Sequence, residues 1–163
     1  MRLLAIAAAV AALAALATPA MAQDTSTQPW YAELGYTHYD TDRGDLGGVT
    51  GRLGYHFNQN LGAEAEYTGG VSDDTFGKLR DQWGVYGVGT IPVSQSFDVF
   101  GRVGYQQMHI DGRNGATDQN TEGLGYGAGV NWHATSNMGL RAEYTRLTDS
   151  DADTWSLGGV LGF

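Results

Sequence analysis

Gly123-Leu124-Gly125-Tyr126-Gly127-Ala128-Gly129-Val130-Asn131-Trp132-His133 is the stretch whose reading decides the fold. Leu124, Tyr126, Ala128, Val130 and Trp132 alternate without a break with Gly125, Gly127, Gly129 and Asn131. Successive side chains of a strand point to opposite faces, so this spacing predicts a strand with one apolar face. The other face is nearly empty. Interior glycine weakens an ordinary strand unless backbone must bend or something must pass close. Three glycines on one face therefore point to a crowded neighbour on that side.

Seven further segments alternate in the same way. Trp30 to about Tyr39 sets Ala32, Leu34 and Tyr36 against Glu33, Gly35 and Thr37. Gly48–Phe57 sets Val49, Leu53 and Tyr55 against Thr50, Arg52 and His56. Leu61–Thr68 sets Leu61, Ala63, Ala65 and Tyr67 against Glu64 and Glu66. Gln82–Ile91 is the least regular, with Trp83, Val85, Gly87, Gly89 and Ile91 assigned to the apolar face. Phe97 to about Ile110 sets Phe97, Val99, Val103 and Tyr105 against Asp98, Phe100, Arg102 and Gly104. Met138–Leu147 sets Met138, Leu140, Ala142 and Tyr144 against Arg141, Glu143 and Thr145. Thr154–Phe163 sets Trp155, Leu157, Leu161 and Phe163 against Ser156, Gly158 and Gly162.

The connectors alternate too. Asp40–Gly47, Gly69–Asp81, Asp111–Glu122 and Thr148–Asp153 are polar, whereas Asn58–Asn60, Pro92–Ser96 and Ala134–Asn137 are tight. Short turns at one end, longer loops at the other and an even number of strands of about ten residues describe an outer-membrane barrel.

The leader agrees. Met1–Ala22 reads as a signal peptide, with Arg2 before the apolar Leu3–Leu16 and a small-x-small site at Ala20-Met21-Ala22. The expected division is residues 1–22 as signal peptide and 23–163 as one barrel domain, exported through the general secretory pathway. The mature part carries 8 Lys+Arg against 18 Asp+Glu, which disfavours a nucleic-acid partner. There is no cysteine, hence neither a disulfide framework nor a thiolate metal site. No later apolar run is long enough for a membrane helix, so a membrane crossing must use strands closed on themselves.

Three features put the apolar face outside. Glycine and paired charges suit a narrow interior better than a wetted surface. Tyr55, Phe57, Phe97, Trp132 and Phe163 fall near the tight-turn end, and Tyr67, Trp83, Tyr105, Tyr126, Tyr144 and Trp155 near the loop end. Two aromatic girdles around a lipid band are expected of such barrels. The last strand also ends on an aromatic, with apolar residues at alternate positions before it.

The ending Trp155-Ser156-Leu157-Gly158-Gly159-Val160-Leu161-Gly162-Phe163 resembles the carboxyl-terminal signature of outer-membrane β-barrels. Phe97-Asp98-Val99-Phe100-Gly101-Arg102-Val103-Gly104-Tyr105 and Gly139-Leu140-Arg141-Ala142-Glu143-Tyr144 resemble strands of the small eight-stranded members. These include the membrane domain of outer-membrane protein A and the opacity and attachment-invasion proteins. The resemblance implies an all-β, eight-stranded antiparallel up-and-down transmembrane barrel, porin-like in its domain type, in the outer membrane of a Gram-negative cell. It implies that Phe163 is the signal read by the barrel-assembly machinery, after escort by periplasmic chaperones. Lipid and lipopolysaccharide are the expected surroundings, and the expected state is a monomer. No counterpart of the peptidoglycan-binding domain of outer-membrane protein A is expected after Phe163.

Counted from the tight-turn end of each strand, Glu33, Arg52, Glu64, Glu66, Arg102, Arg141 and Glu143 fall in one rough layer of the inward face. An eight-stranded barrel has an interior just wide enough for side chains. Four acids and three arginines there must pair, so an Arg–Glu network across the lumen is expected. Such a plug blocks an open channel, and the resemblance implies a structural or surface-interaction role in the cell envelope, with a small-conductance channel as the alternative.

Catalysis is the third class. His133-Ala134-Thr135-Ser136-Asn137 superficially resembles the His-x-Ser constellation of lipid A deacylases, but position 135 is Thr and the segment falls in a periplasmic turn. His38, His56, His109 and His133 are scattered, with no metal-ligand spacing. Asp149-x-Asp151-x-Asp153 lacks the glycine and distant glutamate of a calcium loop. No enzyme, cofactor or metal site is expected. The four polar connectors carry three acids each, Asp40 and Asp153 among them, with divalent-cation bridging as the alternative to a solvated loop set.

Overall fold

The structure is a computed structural model that describes residues 29–41, 44–71, 77–112, 119–148 and 153–163. Residues 1–22, the expected signal peptide, lie outside the described residues. Eight strands follow in chain order: β1 (Trp30–Thr41), β2 (Gly44–His56), β3 (Leu61–Gly70), β4 (Gly77–Pro92), β5 (Phe97–Gly112), β6 (Gln119–His133), β7 (Met138–Leu147) and β8 (Asp153–Gly162). Each pairs antiparallel with its sequence neighbour, and β8 returns to β1, so the sheet is a closed barrel. Trp30 and Phe163 exchange backbone hydrogen bonds of 3.3 and 2.8 Å at the seam. The sheet has no free edge, so the ladders satisfy the backbone groups that lipid cannot.

The strands differ from the sequence reading in length. Alternation is confined to about ten residues, yet β4 and β5 run to 16. Asp40, Asp45, Asp81, Glu122 and Asp153 therefore stand on strands, not in the polar connectors to which the pattern assigned them. Alternation of polarity records contact with lipid, whereas ladder hydrogen bonds continue into water where both faces are polar. At the rim of β4 the register shifts between Leu79 and Asp81, which leaves one extra residue opposite β5. Such bulges are common at barrel rims.

The faces follow the expected inversion. Leu34 is 69% exposed and Leu157 62%, while Glu64 is 3% exposed. Among the described residues fifteen polar or charged side chains are buried against eight hydrophobic ones. A water-soluble domain reverses that proportion. Of the irregular fourth segment, Trp83, Val85 and Ile91 point outward, and Gln82, Tyr86, Val88 and Thr90 inward.

The inward glycines explain the crowding. A Cβ on Gly129 would lie 2.3 Å from the Ala142 carbonyl oxygen and 2.5 Å from the Phe100 ring. A Cβ on Gly159, on the outer face, would meet nothing within 4 Å. Overpacking a close-packed interior costs ~1–3 kcal/mol. Gly129→Ala is therefore expected to destabilise the barrel by that amount and Gly159→Ala to leave it unchanged, as read from urea midpoints of the heat-modifiable gel shift.

Candidate functional site

All seven charged residues of the predicted layer are brought into one cluster, each with a side chain 3% exposed or less. Strand register starts the assembly. Glu33 of β1 stands opposite Arg52 of β2, and Arg52 opposite Glu66 of β3. The remaining pairs join strands that are not neighbours in the sheet, except Arg141 with Glu143, which stand two residues apart on β7.

Arg52 donates from Nη1 to Glu33 at 2.5 Å and from Nε to Glu66 at 2.6 Å, and its Nη2 is 3.2 Å from Glu143. Arg102 Nη1 is 2.8 Å from Glu66 and 3.5 Å from Glu64, and its Nη2 is 2.8 Å from Glu143. Arg141 pairs with Glu64 through Nη1, and its Nη2 is 3.0 Å from Glu143. Its Nη1 is also 3.7 Å from Glu33. Each guanidinium thus meets three carboxylates. Glu33, Glu64 and Glu66 each bridge a different pair of arginines, and Glu143 touches all three.

Aromatic rings and neutral polar groups complete the layer. The Arg102 guanidinium lies 3.9 Å from the centre of the Tyr86 ring, and Arg141 lies 3.8 Å from that of Phe100. A cation over a ring face gains from the ring's quadrupole. The Tyr31 hydroxyl donates to Glu64, and Gln82 Nε2 donates to Glu66 at 3.1 Å. Tyr31, Gln82, Tyr86 and Gln106 were not singled out in the sequence. Their signal was parity alone, since they share the inward positions of their strands.

Above the charges the hydroxyls of Thr37, Thr50 and Thr68 form a row, at 2.6 and 2.7 Å. Nearer the long-loop end, Tyr39, Leu46, Met108 and Leu147 make a buried apolar cluster. This second layer was missed because Leu46 falls within a connector read as polar. Below the charges a cavity of about 130 Å³ lies at the tight-turn end, lined among others by Tyr31, His56, Thr90, Asn131, His133 and Arg141.

The remaining candidates come apart. His133 pairs with Asp98 at 2.5 Å, and the Thr135 hydroxyl donates to Asn137 within its turn, so His133 and Thr135 are each held by other partners. Asp81 is 3.3 Å from His109. Asp149 and Asp151 lie outside the described residues. Among the described residues no group of three or more possible ligands could hold a metal. Two acids at the loop end are tied to girdle tyrosines: Tyr105 donates to Glu122 at 2.6 Å and Tyr144 to Asp153 at 2.8 Å.

The sequence matches the outer membrane protein β-barrel domain over residues 8–163. The chain belongs to that family. It is an outer-membrane β-barrel, and its fold is shared by proteins of distant sequence. It is similar to Ail, the attachment invasion locus protein of Yersinia pestis, at 18% identity and a TM-score of 0.59, covering 84% of this chain and 100% of that one. It is similar to Neisserial surface protein A at 19% identity and 0.61, covering 83% and 97%. It is similar to OprG of Pseudomonas aeruginosa at 12% identity and 0.62, covering 86% and 99%. A search of curated proteins finds no match.

Removing one partner of a buried ion pair strands the other charge and costs ~3–5 kcal/mol. Arg102→Ala is expected to lower the unfolding free energy of the barrel by that amount in urea titration. Arg146→Gln, which loses an exposed pair with Asp153 at 3.7 Å, is expected to change it by less than ~1 kcal/mol.

Proposed function

We propose that this barrel is a closed structural and surface-interaction component of the cell envelope, without catalysis and without a standing aqueous pore. The observation that carries the reading is the lumen cross-section at the charge layer. Seven charged side chains, two stacked rings and their amide and hydroxyl partners occupy it. An ion on this path also meets the apolar layer of Tyr39, Leu46, Met108 and Leu147, and apolar constrictions resist wetting.

The same reading includes export by the leader at residues 1–22 through the general secretory pathway, and periplasmic chaperones on the way. It takes Phe163 as the group recognised by the barrel-assembly machinery. The barrel then works as a monomer among lipid and lipopolysaccharide. One structure of Ail is of a complex with the heparin analogue sucrose octasulfate. The loop end of this chain carries carboxylates at Asp40, Asp45, Glu122 and Asp153, with Asp40 opposite both Asp45 and Asp153 in the ladders. That surface repels a polyanion unless cations intervene, so the partner expected here is cationic or cation-bridged.

Planar-bilayer recording of the purified barrel is expected to give no steady conductance steps at either polarity. Ion-selective steps abolished by changing Arg102 or Glu66 would make it a small channel instead. Mass spectra of lipid A from cells with and without the protein are expected to coincide.

A further inference from the structure

We propose that the charge cluster binds one proton, held on Oε2 of Glu33. Four carboxylates face three guanidiniums in a space sealed by the barrel wall, so full ionisation leaves one negative charge uncompensated. A buried charge without compensation neutralises instead, and carboxylates that share one site do not all ionise.

Hydrogen bonding selects the carboxylate. Glu64 is bonded at both oxygens, by Tyr31, Arg141 and Arg102. Glu66 is bonded at both, by Gln82 at Oε1 and by Arg52 and Arg102 at Oε2. Glu143 Oε1 accepts from Arg52 and Thr145. Glu33 accepts only at Oε1, from Arg52, and its buried Oε2 has no hydrogen bond. The other carboxylate oxygen without one is Glu143 Oε2. Both oxygens face the Arg141 guanidinium, at 3.7 Å from Nη1 and 3.0 Å from Nη2. A proton on Glu33 Oε2 thus neutralises the cluster's uncompensated charge at a buried oxygen that no hydrogen bond holds and that stands farther from the Arg141 guanidinium than Glu143 Oε2 does. It comes from a hydronium ion at the tight-turn end, where the cavity reaches Arg141: one O–H bond of the hydronium breaks as the O–H bond of Glu33 forms, and a water molecule is left behind.

Arg52 of β2 and Arg141 of β7 face Glu33 directly, and the other titratable or charged groups buried with it are Tyr31 on its own strand, Glu64 and Glu66 on β3, Tyr86 on β4, Arg102 on β5 and Glu143 on β7. From β8, Gly158 packs against Glu33 and Ser156 is bonded to Arg52, and neither titrates. From β6 the inward residues at this height are Gly127 and Gly129, with His56 of β2 and His133 of β6 at the mouth. The folded barrel holds one proton that the unfolded chain releases, so this site's contribution to stability is present at low pH and lost as pH rises.

The inference rests on the closed-lumen reading, since the cluster must be shielded from bulk water. It is tested on the barrel folded in detergent at pH 8, where ordinary carboxylates are ionised and free histidines neutral. The infrared spectrum of the wild type is expected to show the carbonyl band of a protonated carboxylic acid, and Glu33→Gln is expected to lack it. Unfolding in urea is expected to release one more proton from the wild type than from Glu33→Gln, counted with an indicator dye. A wild type without the band, or equal release from both proteins, overturns the proposal. A band that survives in Glu33→Gln overturns the assignment to Glu33. If that variant does not fold, the wild-type band and its proton count decide alone. Steady conductance would defeat the closed-lumen reading, whereas a barrel that stays silent in the bilayer yet lacks the band or the extra proton defeats this proposal alone.

Discussion

The structure depends on one constraint: a backbone in lipid has no hydrogen-bond partner except another part of itself. A single sheet meets it only by closing, and closing eight strands fixes a narrow bore. Every inward position then competes for the same small volume. Glycine at 129 makes room for the ring of Phe100, and Phe100 in turn supports the Arg141 guanidinium.

Charge in that bore is held by topology as much as by strength. Three arginines admit three pairs, and Glu33, Glu64 and Glu66 each bridge a different one. Glu143 closes the set from β7, the strand that also carries Arg141. Such an arrangement ties β1, β2, β3, β5 and β7 together across the lumen, where ladder bonds join only adjacent strands. Ion pairs of this kind are a weak source of net stability, because desolvation offsets attraction. They also oppose a change of register, since a slip of one residue would carry Arg52 or Glu64 into lipid.

The lumen is layered along its axis. A cavity of mixed lining faces the tight turns, the charges and the hydroxyl row of Thr37, Thr50 and Thr68 follow, and an apolar cluster stands nearest the long loops. Ail, Neisserial surface protein A and OprG share the fold at 12–19% identity, so the barrel scaffold does not itself specify a ligand.

The sequence by itself determined which residues face lipid, because a strand's period of two is local and the lipid band imposes it on every segment. It determined the tight-turn end of each strand and the height of the seven charges, since height is a count along the chain. Only the tertiary structure decided how far β4 and β5 continue, because hydrogen bonding beyond the lipid leaves no mark on polarity. It also decided which arginine meets which glutamate, where Tyr86 and Phe100 stack, and that Tyr39, Leu46, Met108 and Leu147 meet across the bore. Those are contacts between residues on different strands, set by the stagger and curvature of the closed sheet, and no single segment carries that information.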